Sequence, residues 1–330
     1  MATETTIGIL GLGAYTPERI MTNDDWAELI DTSDEWITTR TGIKRRRFAA
    51  DDETSADLAV AAAREALADA GITADEIDEI VVATDTPEMY TPDTAAFVQD
   101  RLGVRPVPAF DMAGSGCAGF LLALDVARCR AEEGGKNVLV IAVELISRLM
   151  NWADRQTCVL FGDAAGAAVV GPGPDPIEML AAVAGTDGSK AGILCLEAGG
   201  TRVPFTLEVA KAGLHKKLVM HGREVFREAV HRMGDAAREV LDKAGMTLDE
   251  VALVVPHQAN GRILDAVAKR LGLPAEKLYS NIRDYGNTGS ASVPLALTQA
   301  REQGRIRKGD PVLLISFGAG FHWAALLLRF

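Results

Sequence analysis

The sequence predicts an α/β protein of five layers, in which two sheets alternate with three layers of helices. Two observations support this prediction: helical segments alternate with short runs rich in Val and Ile, and part of the chain recurs. Residues 63–76, AREALADAGITADE, match residues 237–250, AREVLDKAGMTLDE, at nine of fourteen positions. An internal repeat of this kind indicates that one α/β unit occurs twice in the chain.

The repeat continues downstream at the same offset of about 174 residues. CAGFLLAL at 117–124 lies opposite SASVPLAL at 290–297, and GKNVLVIA at 135–142 lies opposite KGDPVLLIS at 308–316. Similarity that holds its offset through several elements indicates duplication of the whole unit.

The connection between the copies is expected at the Pro- and Gly-rich segment GPGPDP, residues 171–176. We therefore predict an N-terminal half over 1–172 and a C-terminal half over 173–330. The helix predicted at 118–128 is apolar on nearly every side, so it must be buried. We place it with its copy near 291–300 between the two sheets, and the remaining helices outside.

Composition excludes several function classes. The net charge of −12 over 330 residues argues against nucleic-acid or membrane-surface binding, because such proteins spread basic charge over one face. The four cysteines lack CxxC or Cys/His spacing, which argues against zinc and disulfides. The uncharged stretch Val312–Leu328 is broken by glycines and is expected to form two strands around a turn. We expect a cytoplasmic protein without metal or membrane span.

Cys117 lies between Gly-Ser-Gly and Ala-Gly, where a strand is expected to end and the buried helix to begin. The first turn of a helix offers free N–H groups and a partial positive charge, which can lower a cysteine pKa from ~8.5 to about 3.5–7.5. The alternative is a small buried side chain, which is common for a free cysteine. The cysteines without this setting are interpreted as structural: Cys129, Cys158 and Cys195.

The second copy contains candidate partners for this thiol. His257 follows a Val-rich strand, and the carboxyl ends of such strands gather ligands in α/β proteins. Asn287 lies between glycines ahead of the helix that corresponds to the one Cys117 begins. Ordinary roles for these residues are a satisfied loop histidine and a turn asparagine. The other histidines are expected on surfaces or helices: His215, His221, His231 and His322.

Five motifs in order resemble the β-ketoacyl-acyl-carrier-protein synthase III family of the thiolase superfamily. They are DTSDEWITTRTGI (31–43), CAGF (117–120), DRQTCVLFGDAAGAAVV (154–170), VPHQAN (255–260) and GNTGSASVPLAL (286–297). The likeness extends from IGILGLGAYTPE near the start to SFGAGFHWAALLLRF at the end. It implies the thiolase-like five-layer fold and an enzyme that initiates fatty-acid synthesis without a cofactor.

The resemblance also assigns roles. Cys117 would accept an acyl group from acyl-CoA, and malonyl-acyl-carrier protein would then lose CO₂ and condense with it to give 3-oxoacyl-acyl-carrier protein. His257 and Asn287 would donate hydrogen bonds to the enolate, and the backbone amides of Cys117 and Ala319 would form the oxyanion hole.

Binding residues follow from the same resemblance. The CoA and pantetheine site would draw on Thr32, Trp36, Arg40, Arg155, Gly222 and Asn260. Trp36 could stack on adenine, with Arg155 covering it or meeting phosphate, although Trp36 could also be a helix packing residue. The acidic carrier protein needs a local basic area, predicted at Arg262, Lys269 and Arg270, with Arg223 and Arg227 as possible additions. A solvated helix face is the alternative interpretation of those charges.

Three features depart from the family pattern. One extra residue separates Asp111 from Cys117, and Gly289 replaces the commoner serine. Thr91 stands where many short-primer enzymes have a bulky aromatic residue, so it would act as the gate of a longer acyl pocket. The family likeness further implies a homodimer, with the segment near Thr91 reaching toward the pocket of the partner.

Rival functions remain within and outside the superfamily. A degradative thiolase would carry a second cysteine in FGAGF (317–321), and an elongating synthase a second histidine in place of Asn287. A 3-hydroxy-3-methylglutaryl-CoA synthase would need a carboxylate near the cysteine, for which Glu144 and Asp111 are candidates. A polyketide-type priming homologue and a non-catalytic carrier-binding protein are the remaining alternatives.

Overall fold

The computed structural model describes residues 6–330, which form strands and helices in alternation. The strands are β1 (Thr6–Tyr15), β2 (Arg19–Thr22), β3 (Arg45–Phe48), β4 (Glu79–Thr84), β5 (Ala109–Ala113), β6 (Val138–Leu145), β7 (Asp163–Gly173), β8 (Ile177–Thr186), β9 (Leu194–Leu196), β10 (Leu218–Met220), β11 (Leu253–Pro256), β12 (Pro311–Gly318) and β13 (His322–Arg329). The α-helices are α1 (Asn23–Leu29), α2 (Asp34–Thr41), α3 (Ser55–Ala70), α4 (Thr94–Leu102), α5 (Gly119–Gly134), α6 (Leu207–Lys211), α7 (Gly222–Ala244), α8 (Gly261–Leu271), α9 (Ile282–Tyr285) and α10 (Ser292–Glu302).

The main strands follow the same order in both halves of the chain. The N-terminal half runs β5-β4-β6-β7-β1, and the C-terminal half runs β11-β12-β13-β8. The two predicted sheets are joined into one nine-stranded sheet, because β1 pairs with β8 at Gly8–Glu178 and Ile9–Ile177. A parallel bridge between Val254 and Leu278 takes the position that β5 has in the first half. The observed order is therefore that of a duplicated unit.

Three apolar clusters separate the layers. In the central cluster, the inner faces of both sheets pack against α5 and α10. A second cluster joins α3 and α4 to the outer face of the N-terminal sheet, and a third joins α7 and α8 to the outer face of the C-terminal sheet. The predicted five layers, with the helix after Cys117 and its copy in the middle, are confirmed.

The matching stretches of sequence have matching local structures. Helices α3 and α7 end at Gly71 and Gly245, each with a φ of 67° that a side chain would strain. A short 3-10 turn follows in each copy, over Ala74–Glu76 and Leu248–Glu250, and both turns are held by a Thr/Glu capping box. A buried strand comes next in both halves, β4 and β11.

The predicted connection between the halves is a tight turn. Strand β7 ends at Gly173 and β8 begins at Ile177, so the first half of GPGPDP belongs to β7 and the second half forms the turn. The boundary predicted at 172/173 falls at the end of this strand and remains a prediction. The C-terminal apolar stretch forms the antiparallel pair β12 and β13, as expected. Between residues 6 and 330, no helix combines the length and apolar character needed to cross a bilayer.

Candidate active site

Cys117 lies in a 3-10 turn, Gly116–Ala118, that leads from the end of β5 into α5. Gly114 and Gly116 have φ values of 71° and 57°, which allow the chain to reverse sharply before the thiol. The side chain of Cys117 is half-buried. The expected position, between a strand and a buried helix, is the observed one.

The turn at Cys117 packs against the loop that follows β12. A Cβ on Gly116 would lie 2.5 Å from the Ala319 nitrogen, and one on Gly318 would lie 2.4 Å from the Cys117 nitrogen. The Ser316 hydroxyl donates to the carbonyl of Cys117 over 2.8 Å. Two backbone amides from different halves of the chain, those of Cys117 and Ala319, therefore come together beside the thiol.

The expected lowering of the Cys117 pKa is wrong for the free protein. Burial and the charges of Asp85 and Glu144 hold the pKa of this thiol well above its ordinary value, and the backbone amide contributes only a smaller lowering. Desolvation and like charge therefore outweigh the helix terminus. The thiol is protonated at neutral pH until a substrate or a base changes its surroundings.

His257 follows β11, and its amide donates to the Ile315 carbonyl of β12 over 2.8 Å. The imidazole is fully buried, and its Nδ1 lies 2.6 Å from the Ser292 hydroxyl at the start of α10. Burial lowers the pKa of His257 to about 3, so the ring is neutral. Nε2 has no hydrogen-bond partner among residues 6–330, which leaves this nitrogen for a substrate.

Asn287 is buried in the loop between α9 and α10. Its amide donates to the Leu160 carbonyl over 2.8 Å, and its carbonyl accepts from Gly162 over 3.0 Å. Its Oδ1 accepts from the Gly289 amide over 2.9 Å. Because Oδ1 is engaged locally, Nδ2 is the end of this carboxamide that can donate to another group.

Asp85 and Glu144 add two carboxyl groups to this region. Burial raises the pKa of both, and the charge of Asp85 adds to the effect on Glu144, whose pKa is raised to about 8. His322 lies near enough to Asp85 to oppose this shift. Of the two carboxylates predicted for a 3-hydroxy-3-methylglutaryl-CoA synthase, Asp111 instead accepts from the amides of Thr94 and Ala95 at the start of α4.

Sequence reasoning missed Asp85 and the hydroxyls of Ser292 and Ser316. These residues are polar groups that follow or end buried strands, or that begin a buried helix, and such positions are a detectable signal. Glu144 gave a clearer one, because it is the acid in the otherwise apolar strand VLVIAVEL. Its partners are 58 and 146 residues away along the chain, which the sequence does not display.

The residues predicted for CoA form a second cluster around Trp36 of α2. The guanidinium carbon of Arg40 lies 4.4 Å from the Trp36 ring centroid and that of Arg155 lies 5.2 Å from it. Arg155 also donates to the Asp31 carbonyl over 2.7 Å and carboxylate over 3.0 Å. The Thr32 hydroxyl, just before α2, is buried and has no hydrogen-bond partner among the described residues. Four of the six predicted residues thus occupy one area.

Asn260 and Gly222 lie near this area, at the starts of α8 and α7. Asn260 caps α8, its Oδ1 accepting from the Arg262 amide over 2.9 Å, and α8 begins against the end of α2. Gly222 is exposed and begins α7, two residues after Met220, which packs in the same apolar cluster as Trp36.

The predicted carrier-protein residues all lie on α8. Arg262 and Lys269 are exposed and lie seven residues apart, on the same face of α8. Arg262 also donates to the Thr39 carbonyl over 3.1 Å. Arg270 points toward α7, where it donates to Asp235 over 2.6 Å, so its charge is largely offset. Arg223 and Arg227 are exposed on α7.

Thr91 is exposed on the loop between β4 and α4, beside the large exposed side chains of Met89 and Tyr90. The structure does not place Thr91 at Cys117 within one chain. Among residues 6–330, no group of three or more His, Cys, Asp or Glu side chains is arranged to hold a metal ion. The remaining cysteines are free, and burial raises the pKa of Cys158 to about 12, which suits a structural residue.

Known proteins share both the fold and the sequence. Residues 110–188 match the model of 3-oxoacyl-[acyl-carrier-protein] synthase III, and residues 241–330 match the model of its C-terminal region. The β-ketoacyl-[acyl-carrier-protein] synthase III of Symbiobacterium thermophilum is 50% identical over 98% of each chain. Its homologue of that name from Thermus thermophilus is 47% identical, with a TM-score of 0.90 over 98% of this chain and 99% of the other. The priming β-ketosynthase of the R1128 polyketide pathway is 40% identical, with a TM-score of 0.91 over 98% and 96%.

The thiolase fold and a cysteine at the head of its buried helix define an acyl-transferring condensing enzyme. One group of such enzymes has this duplicated framework and this order of motifs. The relatives that match the chain over nearly its full length belong to the same group. The chain belongs to the β-ketoacyl-[acyl-carrier-protein] synthase III family, the condensing enzymes that initiate fatty-acid synthesis.

Proposed function

We propose that Cys117 takes the acyl group of an acyl-CoA primer and that the acyl-enzyme then condenses with malonyl-acyl-carrier protein. The observation that carries this proposal is the buried, neutral His257, whose Nε2 has no partner in the part of the chain that the structure describes. A neutral imidazole kept free in a dry site can accept a proton or donate a hydrogen bond without adding net charge.

Loading of the primer requires removal of the thiol proton, because the resting pKa of Cys117 is raised. As the sulfur attacks the thioester carbonyl, His257 Nε2 accepts this proton. The carbonyl oxygen, now an oxyanion, accepts from the amides of Cys117 and Ala319. When the bond to the CoA sulfur breaks, the proton passes from His257 to that sulfur, which leaves an acyl-cysteine and free CoA.

Condensation uses the other neutral tautomer of His257. The Ser292 hydroxyl can donate to Nδ1 or accept from it, so it is compatible with a proton on either ring nitrogen. With Nε2 protonated, His257 and Asn287 Nδ2 donate to the enolate oxygen that develops as malonyl-acyl-carrier protein loses CO₂. The enolate carbon attacks the acyl-cysteine carbonyl, the carbon–sulfur bond breaks, and the thiolate that leaves takes a proton from solvent.

The cluster around Trp36 is the proposed nucleotide end of the CoA site. Arg155 lies over the indole and is bound to Asp31, and its guanidinium would move away from the ring for adenine to stack between them. Arg40 would meet phosphate, and the unpartnered Thr32 hydroxyl and the free Asn260 amide offer donors along the pantetheine arm. No organic cofactor or metal takes part in these steps.

We infer that the acidic carrier protein docks on the exposed side of α8 through Arg262 and Lys269. We also infer a homodimer, supported by β5, whose outer edge pairs with no other strand among the described residues. Met89 and Tyr90, 51% and 85% exposed, lie on the loop that follows the neighbouring strand β4. In such a dimer Thr91 would reach the acyl pocket of the partner and allow primers beyond acetyl.

Intact-mass measurement tests the reaction. The protein exposed to acyl-CoA is expected to gain the mass of one acyl group on Cys117 and to lose it when malonyl-acyl-carrier protein is added. A carrier-binding protein without activity would gain no covalent mass. Repeating the measurement from acetyl-CoA to dodecanoyl-CoA tests the pocket, and strict preference for acetyl would remove the argument from Thr91.

The likeness to a priming β-ketosynthase favours a second candidate, the supply of starter groups to a polyketide pathway. The same loading chemistry at Cys117 serves either role. The identity of the carrier separates them, since an enzyme of fatty-acid synthesis is expected to condense faster with the fatty-acid carrier protein of its own cell than with a polyketide carrier.

A further inference from the structure

Glu144 is a buried acid that the proposed reaction does not use. It is the second-last residue of β6, with a relative exposure of 1%, in a strand whose other residues are all buried. Burying a carboxyl group costs free energy unless hydrogen bonds replace its water. Glu144 therefore needs partners that explain its presence at the end of this strand.

Three donors from two separate segments of the chain meet this one carboxyl group. The Ser290 hydroxyl donates to Oε1 over 2.7 Å, and the Thr86 hydroxyl donates to Oε2 over 2.9 Å. The amide of Asp85 lies 3.3 and 3.2 Å from the two oxygens. Glu144 thus joins the end of β4, in the N-terminal half, to the turn before α10 in the C-terminal half.

Gly289, the residue before Ser290, packs directly on the stem of Glu144. A Cβ at Gly289 would lie 2.7 Å from Glu144 Cγ and 3.0 Å from Ile146 Cδ1, and the φ of 57° itself favours glycine. The Gly289 amide is the group that donates to Asn287 Oδ1. A continuous set of contacts therefore runs from Glu144 through Gly289 to the carboxamide of Asn287.

We propose that Glu144 is a positioning residue for decarboxylation, which holds the Gly289–Ser290 turn and thereby sets the direction of the Asn287 carboxamide. This rests on the function proposed above. The backbone of Asn287 is held separately by Leu160 and Gly162, so loss of Glu144 shifts the turn and leaves the loop folded. A misplaced donor costs rate, and a displacement of about 1 Å can cost about 10²-fold.

The test compares two half-reactions in Glu144→Ala, Glu144→Gln and a matched control. In Glu144→Ala, malonyl decarboxylation is expected to fall by about 30- to 100-fold, while acyl loading of Cys117 changes by less than about threefold. Glu144→Gln is expected to recover most of the loss. Its amide can accept from one hydroxyl and donate to the other, and the Ser290 hydroxyl can turn to the Ala83 carbonyl 3.3 Å away.

Glu79→Gln is the control, because Glu79 is a buried carboxylate at the opposite end of β4, paired with Arg130 and Lys136. It is expected to leave the ratio of the two half-reactions unchanged. If Glu144→Ala does not fold, Ser290→Ala removes one donor only and is expected to lower decarboxylation by about threefold to tenfold without affecting loading. A parallel fall of both half-reactions in the Glu144 and Ser290 variants overturns the proposal.

A readout independent of activity separates this proposal from the proposed function. In protein labelled with ¹⁵N-asparagine, the side-chain amide signal of Asn287 is identified by its loss in Asn287→Asp. That signal is expected to shift in Glu144→Ala and to stay in place in Glu79→Gln. An unmoved signal in Glu144→Ala overturns the positioning role, whereas a wild-type protein without decarboxylation overturns the function alone.

Discussion

The heads of α5 and α10 are two versions of one structure. Each helix is preceded by a 3-10 turn that begins with a glycine of φ 57°, Gly116 in the first copy and Gly289 in the second. The next residue is Cys117 in the first copy and Ser290 in the second. The backbone has been retained in both halves, and the reactive sulfur occurs in only one of them.

The contacts opposite these turns explain the difference. In the first copy, Gly116 packs against the loop after β12, which brings the amide of Ala319 beside that of Cys117. In the second copy, Gly289 packs against Glu144 of β6, the strand equivalent to β12, and Ser290 donates to that carboxylate. Close packing of the glycine thus brings two backbone amides together in the first copy. In the second copy it holds the turn that contains Ser290 against Glu144.

The largest expected effect comes from making the first copy like the second. Cys117→Ser replaces the thiol with a hydroxyl. The hydroxyl is a weaker nucleophile and therefore accepts the acyl group slowly. We expect acyl transfer from acyl-CoA to fall by at least about 10³-fold, measured by intact mass. Cys117→Ser combined with Ser290→Cys is the reciprocal control, because the thiol in the second copy faces Glu144 and is expected to gain no acyl group. Acylation of Cys117→Ser at the wild-type rate would remove the asymmetry between the copies.

Substitutions in the second copy are expected to slow condensation more than they slow loading of the primer. Removing one donor from an oxyanion site costs about 10²–10³ in rate, so Asn287→Ala is expected to lower malonyl decarboxylation by that factor. His257→Ala is expected to do the same and also to slow loading, because it removes the proposed acceptor of the thiol proton. Radiolabelled CO₂ release measures decarboxylation, and wild-type release by either variant would contradict the assignment.

The framework of this comparison was predictable from sequence. The repeat at 63–76 and 237–250, the glycines that end both helices and the apolar character of α5 are local properties, and the structure confirms the elements they predict. The position of Cys117 at a helix head follows from the same local pattern, with glycines on both sides.

The electrostatics of the site could not be predicted in the same way. The helix terminus favours a low pKa for Cys117, but the structure adds burial and two carboxyl groups from the ends of β4 and β6, and these dominate. Arg270 shows the same limit, because only the packing of α8 on α7 reveals its pairing with Asp235. Local sequence gives the charge of a side chain and leaves its partners undefined.

Removing a charge near Cys117 tests whether the carboxylates contribute to the pKa of this thiol. Burial and the charges of Asp85 and Glu144 raise the pKa of the thiol. Asp85→Asn removes one negative charge, which favours the thiolate, so the pH profile of iodoacetamide alkylation is expected to shift to lower pH by about one unit. The rate at a fixed pH below the midpoint then rises by about tenfold. Glu79→Gln is the control, and an unmoved profile in Asp85→Asn would show that burial alone sets this pKa.

A smaller effect is expected on the outer surface of the C-terminal copy, where α8 carries Arg262 and Lys269. The corresponding helix of the first copy, α4, offers Arg101 near its end, and that residue is already paired with Asp57 and Glu88. The docking charges are therefore a property of the second copy alone. Exposed charge pairs contribute about 0.2–1 kcal/mol each and are screened by salt, so their removal changes affinity only several-fold.

Charge reversal on α8 tests whether this surface serves the carrier. Arg262→Glu with Lys269→Glu is expected to raise the KM for malonyl-acyl-carrier protein by about fivefold to tenfold at low salt and less at high salt, because two attractions become repulsions. In Lys269→Glu alone, the rate of loading from acyl-CoA is expected to change by less than twofold, because Lys269 lies in the last turn of α8, whereas Arg262 lies in the first turn beside the CoA cluster. Arg307→Glu with Lys308→Glu makes the same change in net charge at an exposed turn before β12, at the opposite end of that strand from Ala319. Equal effects of the two double variants, or equal effects on loading and condensation, would reject α8 as the docking surface.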